Sequence, residues 1–263
     1  YTKYTLKELN HLEKMKQNDF KIILRYKKEG RLLDVGCGDG ARLKIAYDNG
    51  WEDLYGLELS DVAISRLKST FLLSNTEKRF LKSTLLETDL EKEKFDVITL
   101  WSVLEHMYSP FENIKAVSGL LKKGGIVVIR VPNVRYELWR KYIRNIALVI
   151  IPVKMRKMLK ITDEYTPGLK EIFDLTKNAR TEKGGLDLEY HLSHFSDVTL
   201  KVFLEKAGLN VVENNFGDMF VSRRSFKEKI EQAVLCFLKG IHFICGKKIP
   251  NMSSQLLFVA RKI

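Results

Sequence analysis

Leu32-Leu-Asp-Val-Gly-Cys-Gly-Asp-Gly40 is the stretch on which the reading of this chain turns. Leu32, Leu33 and Val35 read as a short buried strand, and Gly36, Gly38 and Gly40 read as a sharp turn out of it. Glycines permit such a turn and let backbone amides approach a ligand with no Cβ in the way. Taken alone, the loop is ambiguous. Gly36-x-Gly38-x-x-Ala41 also satisfies a dinucleotide pattern, and a strand-to-helix turn needs no ligand at all. The ambiguity narrows at Glu58, which lies 22 residues after Gly36 at the end of the next apolar run. A carboxylate there accepts from ribose hydroxyls in either class of cofactor.

Outward from this loop the chain alternates between two periods. Short apolar runs occur at Arg31–Val35, Asp53–Leu59, Phe80–Leu85, Phe95–Trp101 and Ile126–Val131. Helical patterns lie between them. Ser60–Asp61 caps one that places Ile64, Leu67 and Phe71 on one face; another carries Ile114, Val117 and Leu121 and ends at Gly124–Gly125. This alternation predicts βαβ units and an α/β fold with a parallel sheet covered on both faces. Residues 5–28 read as a helical preface. After Pro132 the pattern breaks until Ser196, which caps a helix with Leu200, Phe203, Leu204 and Ala207 and a stop at Gly208. A strand from Leu209, an amphipathic helix at about Phe226–Phe243 and a last strand, Gln255–Arg261, complete the reading.

The 263 residues are 45% hydrophobic with a net charge of +12, which excludes a disordered or collagen-like chain. No apolar run is long enough to span a bilayer; Ile146–Val153 is short, and Leu235–Cys245 is short and contains Lys239. No signal-like segment opens the sequence, and three cysteines without a CxxC pair (Cys37, Cys236, Cys245) predict reduced thiols and a cytoplasmic location. The charge is concentrated. Arg135 to Lys160 holds eight basic residues and one acid, and Met219 to Lys248 holds seven and two, so these segments carry the whole net charge. Two patches, rather than uniform basicity, predict an anionic partner.

Five blocks together resemble the class I S-adenosylmethionine-dependent methyltransferases: Asp34-Val-Gly-Cys-Gly-Asp-Gly40; Gly56-Leu-Glu58; Phe95-Asp-Val-Ile-Thr-Leu-Trp-Ser-Val-Leu-Glu-His106; Leu120-Leu-Lys-Lys-Gly-Gly125; and Val127-Val-Ile-Arg-Val-Pro-Asn133. The resemblance covers about 30–135 well and 190–210 moderately. It implies a Rossmann-like, doubly wound, seven-stranded sheet, mostly parallel with an antiparallel last strand, and S-adenosyl-L-methionine as cofactor. On that resemblance, Asp34, Gly36, Cys37, Gly38 and Gly40 form the cofactor loop, with the glycines facing methionine and ribose. Glu58 holds the ribose hydroxyls, and Leu59 packs on adenine. Thr84 and Leu85 flank the adenine ring, Thr84 standing where the family often has Asp. Trp101 and Ser102 meet the methionine end. The domain reading follows: one domain over 1–263, with a preface (1–30), a cofactor-binding half (31–132), a lid and substrate insertion (133–190), and a C-terminal half (191–263) holding a basic helical insertion (217–253).

Methyl transfer from a sulfonium is an in-line displacement in which orientation contributes most. A hydroxyl acceptor also needs its proton removed, and a base titrating near neutrality suits that task, which points to histidine. His11 reads as surface and His242 as part of the basic helix. His106 ends the Leu-Glu-His block past the fourth strand, at the sheet edge where ligands of open α/β folds sit. His106, Glu105 and His191 are the expected catalytic residues, and His194 an expected substrate contact; loop-bonding or packing is the bland alternative for each. Some ubiquinone-pathway O-methyltransferases carry Glu-x-x-Glu-His here. This chain has Ser102 in place of the first Glu, one carboxylate short of what a hard cation wants, and no metal is expected.

Trp139, Tyr142 and a run of aliphatic residues interleave with Arg140, Lys141 and Arg144 in the insertion, the composition of a segment on anionic lipid. The plain reading is a lid with solvated charges, and the two are compatible. Trp139 and Arg140 are expected substrate contacts. The leading function is O-methylation of a small-molecule, glycan or lipid-linked anionic acceptor, by a cytoplasmic enzyme with a peripheral place at the inner membrane face. The alternatives are an RNA methyltransferase, disfavoured because no appended RNA-binding motif or Asn-Pro-Pro-Tyr-like tetrapeptide occurs, and a non-catalytic cofactor- or partner-binding module. A nicotinamide oxidoreductase comes last.

Overall fold

A computed structural model of the chain describes residues 6–71, 76–138, 191–217 and 254–263. Seven strands form one sheet in the order β3-β2-β1-β4-β5-β7-β6. Their ranges are β1 Leu32–Val35, β2 Leu54–Glu58, β3 Phe80–Lys82, β4 Phe95–Trp101, β5 Leu121–Pro132, β6 Leu209–Gly217 and β7 Gln255–Lys262. β1 to β5 pair in parallel. β7 lies antiparallel to both β5 and β6, so the sheet is mixed as expected. The order reverses between β1 and β4, the position where open α/β sheets leave a crevice at their carboxyl ends.

The strands are buried on both faces, and alternate residues feed two cores. Leu33, Val35, Ile98, Leu100, Val127 and Ile129 face one, which is closed by α5 (Pro110–Leu120) and α6 (Asp197–Lys206). Leu32, Val97, Ile126, Val128, Leu257 and Val259 face the other, with α1 (Leu6–Leu24), α2 (Ala41–Asp48) and α3 (Asp61–Thr70). A four-residue α4 (Thr76–Arg79) leads into β3.

The helix starts follow local chemistry. Ser60 accepts from the Ala63 N–H, and Ser196 forms a reciprocal capping box with Thr199. Pro110 opens α5, where its missing N–H costs nothing.

Two expectations need correction. The helix through Ile114 and Val117 stops at Leu120, not at Gly124–Gly125. Leu121 turns extended and pairs with Phe95, because the strand ladder and a fully buried side chain outweigh one more helical turn. β3 ends at Lys82 rather than Leu85. The helical preface is present as α1 and packs on the sheet: Phe20 and Ile23 are buried in the core, and Asp19 is 1% exposed. The bulk of the 133–190 insertion and of the 217–253 insertion, including Trp139, Arg140 and the amphipathic helix, lies outside the described residues.

Candidate active site

The carboxyl ends of β1, β2 and β4 and the turn after β3 enclose a cleft of about 510 Å³. That is within the size range of small-molecule sites. Gly36, Glu58, Leu59, Thr84, Leu85, Ser102 and His106 all line it, so the structure brings together six of the eleven cofactor residues the sequence singled out, with one of the three expected catalytic residues.

The glycine loop shows why these positions lack side chains. Gly36 has φ +66°, and a Cβ there would stand 2.6 Å from a Val103 methyl. Gly38 has open space where its Cβ would be, which leaves its backbone approachable. Its N–H donates to Glu58 Oε2 at 3.0 Å, while Glu58 Oε1 accepts from the Leu59 and Ser60 N–H groups at 2.8 and 2.9 Å. Three backbone donors thus orient this carboxylate and take three of its roughly four lone-pair sites. One remains for a ribose hydroxyl. The open approach at Gly38, the oriented carboxylate and the cleft volume together fit a nucleoside cofactor. Leu59 is 60% exposed beside them, an apolar surface available to a flat ring.

Gly40 sits against Leu67 of α3 and serves helix packing. Three further expected contacts do not face the cleft. Asp34 is buried, accepts the Thr99 hydroxyl at 2.6 Å, and has its pKa pushed up to about 6 by burial. Cys37 turns its sulfur under Gly56, and burial pushes its thiol pKa up. Trp101 is buried under the Arg42 and Arg130 guanidinium groups, whose centres lie 5.2 and 5.1 Å from its ring centroid. Each belongs to the support behind the loop: the strands β1 and β4 carry Asp34 and Trp101 into the interior, and the turn after β1 tucks Cys37 against Gly56.

That support contains an ion cluster absent from the sequence expectations. Arg130, near the carboxyl end of β5, donates to both Asp19 oxygens, and Arg42 Nε donates to Oδ2 at 3.2 Å. A guanidinium in an otherwise apolar strand requires such a partner, and Arg130 within Ile-Val-Val-Ile-Arg-Val was the available signal. The cluster fastens α1 to the sheet immediately behind the glycine loop.

Past β4 the chain makes a left-handed step at Ser102 (φ 56°) and a 3₁₀ turn, Leu104–His106. The carbonyl of Glu105 accepts from the Leu192 and Ser193 N–H groups at 2.8 and 3.0 Å. These bonds bring the segment before α6 across the turn. The His191 ring stands 5.0 Å from the His106 ring, and His194 lies 6.2 Å beyond, centroid to centroid. The Glu105 side chain is 2% exposed, and its Oε1 is 4.0 Å from His106 Nε2. Burial raises its pKa from 4.5 to about 7. His106 is half exposed at the cleft wall. Ligand atoms of Glu105, His106 and His191 lie within 4.8 Å of one another, a set able to hold a divalent ion. The sequence expectation of no metal counted the missing carboxylate at 102 and had no means of adding His191. The cleft also takes in Met107, Tyr108, Asn113 and Glu87, which no motif marked.

Comparison with known proteins agrees with this geometry. Residues 12–214 match the family model described as a methyltransferase domain. A ubiquinone biosynthesis O-methyltransferase of Nitrosomonas europaea is 26% identical over 68% of this chain and 75% of its own. That of Histophilus somni is 31% identical over 54% of this chain and 59% of its own, and that of Nitrosospira multiformis is matched over only 43% of its length. Among solved structures, a SAM-dependent methyltransferase from Archaeoglobus fulgidus superposes with a TM-score of 0.57 at 16% identity, covering 95% of this chain and 94% of that one. One from Mesorhizobium loti gives 0.55 at 16%, covering 93% and 96%.

Proposed function

We propose O-methylation of a small acceptor, from the premise that this chain belongs to the methyltransferase domain family and is an S-adenosyl-L-methionine-dependent enzyme. The observation that carries the reading is His106 on the cleft wall with a buried carboxylate beside it and a second imidazole facing it. When bound, the cofactor supplies an electrophilic methyl group on sulfur. Glu58 and the Gly36–Gly38 backbone hold its nucleoside part. His106 Nε2 takes the proton of the acceptor hydroxyl as that oxygen attacks. Glu105 stabilises the resulting imidazolium, since a carboxylate at this distance in a buried setting interacts more strongly than in water. His191, and His194 behind it, orient the acceptor. The relatives are named for O-methylation, which supports oxygen as the attacking atom.

Incubation with S-adenosylmethionine and a panel of phenolic, sugar and lipid-linked acceptors, read by product mass, tests the assignment. A 14-dalton gain that fragmentation localises to an acceptor oxygen supports it, and methylated RNA as the sole product sinks it. The same three side chains support a second reading, in which a divalent ion on Glu105, His106 and His191 polarises the acceptor oxygen. Loss of turnover in chelator, restored by metal, selects that version.

For the acceptor, the charge of the two basic sequence segments supports an anionic or lipid-linked molecule, with Trp139 and Arg140 as its proposed contacts. The same charges support a proposed peripheral position on the inner face of the cytoplasmic membrane. Replacing Arg140, Lys141 and Arg144 with Gln is expected to weaken binding to anionic vesicles by about two orders of magnitude, leaving cofactor affinity unchanged. No vesicle flotation at low salt would leave the insertion as a plain lid.

A further inference from the structure

The turn after β4 presents an aromatic ring that the proton transfer does not use. We infer that Tyr108 is the platform on which the acceptor's own ring stacks while its hydroxyl meets His106. The inference rests on the O-methylation reading of this cleft. Along the turn, Leu104 and Glu105 are buried and Met107 packs against the core. His106 is half exposed, and Tyr108, two residues further, is 82% exposed; both line the cleft.

This exposed ring is carried on a fixed backbone. Asn113, 4% exposed in α5, donates through Nδ2 to the Tyr108 and Ser109 carbonyls at 2.9 and 3.2 Å. Among the described residues three non-glycines have positive φ, and two of them, Ser102 at 56° and Ser109 at 52°, bracket the turn. Such conformations persist where surrounding bonds enforce them, and they cluster at ligand sites. Leu192, next to His191, is 55% exposed, with its N–H held by the Glu105 carbonyl at 2.8 Å. A bare apolar side chain, positioned by hydrogen bonds of its backbone or of the next residue, thus follows closely on each of the two imidazoles. The nucleoside belongs with Glu58 and Leu59 at the end of β2, which leaves the Tyr108 ring for the second substrate. A tyrosine face suits a ring with an apolar face of its own, either the π face of a phenol or the C–H face of a sugar. A ring seated there has its hydroxyl edge directed at an imidazole rather than at bulk water.

The test saturates the full chain with S-adenosylhomocysteine and titrates it with catechol, methyl β-D-glucopyranoside and ring-free erythritol, reading Kd by ligand-observed NMR. At least one ring compound should bind more tightly than erythritol, and Tyr108→Ala should weaken it about tenfold. Tyr108→Phe keeps the ring and should stay within about threefold of the parent. Dependence on Tyr108 for catechol alone assigns a phenolic acceptor, and for the glucoside alone a sugar. The inference is overturned if neither ring compound outbinds erythritol, or if Tyr108→Ala binds both as the parent does. A weakened affinity for S-adenosylhomocysteine in calorimetry also overturns it, because Tyr108 would then lie against the cofactor. A lowered melting temperature does the same by making the ring a packing element. Product mass separates this inference from the reading beneath it. If Tyr108→Ala methylates oxygen at the parent's rate with subsaturating acceptor, the inference fails and the reading stands. If ring binding depends on Tyr108 but the acceptor panel yields only N- or C-methyl products, the reading fails and takes the inference with it.

Discussion

Glu105→Gln is expected to make the protein more stable, and increasingly so as pH rises. The Glu105 side chain is 2% exposed, Oε2 has no hydrogen-bond partner, and the imidazole nitrogen near Oε1 is 4.0 Å away. Burial therefore raises its pKa from 4.5 to about 7. The folded protein keeps a proton that the unfolded chain releases over that interval. Its favourable contribution is complete below pH 4.5, declines as pH rises, and is gone above about 7. A shift of about 2.5 units corresponds to about 3 kcal/mol. Gln has nearly the same shape and does not titrate. Asp34, with its own raised pKa, titrates in both proteins and cancels in the difference. Urea unfolding at pH 5 and pH 8 in chelator should show the variant's advantage growing by about 2.5 kcal/mol between the two. A difference that does not change with pH would refute the reasoning, because desolvation of this carboxyl would then not be its cause. A divalent ion at Glu105, His106 and His191 would favour the ionised form, so added metal should narrow the gap at pH 8 only if the metal reading is right.

Glu58→Ala should weaken S-adenosylmethionine at least about tenfold by calorimetry, from one lost charge-assisted hydrogen bond and three backbone donors left without their acceptor. His106→Ala should lower turnover about a hundredfold with little change in cofactor affinity if it takes the proton; an effect below a few-fold would move the role to His191 or His194. Asp19→Ala should cost about 3–5 kcal/mol in denaturant unfolding by stranding Arg130, and adding Arg130→Leu should recover much of it. An additive double variant would mean that the pair is not coupled.

The Asp19 cluster changes how the amino-terminal helix is understood. It stands 111 residues from Arg130 in sequence, yet its carboxylate neutralises the guanidinium in β5 and lies beside the arginine that follows the glycine loop. The floor under the cofactor loop is therefore assembled from three distant segments.

The features legible in the sequence are those whose cause is local. Gly36 and Gly38 announce a turn because their left-handed backbone is one that side chains rarely adopt, and at Gly36 a Cβ would also strike Val103. Ser60 and Ser196 announce helices because a hydroxyl three residues before a free N–H caps it. The apolar runs announce a doubly buried sheet, and the end of the second run brings Glu58 to the cleft. What remained hidden depends on partners far along the chain. Leu121 has helical neighbours, and only the ladder to Phe95 makes it a strand. Trp101 and Asp34 sit in cofactor motifs, and only the packing of α1 shows them buried behind the loop. His191 joins His106 across 85 positions through two hydrogen bonds to the Glu105 carbonyl. Glu87 joins the cleft because β3 stops short and the turn folds inward. Short-range sterics and capping are written in adjacent residues, whereas burial, desolvation and side-chain pairing arise only when the sheet brings distant segments together.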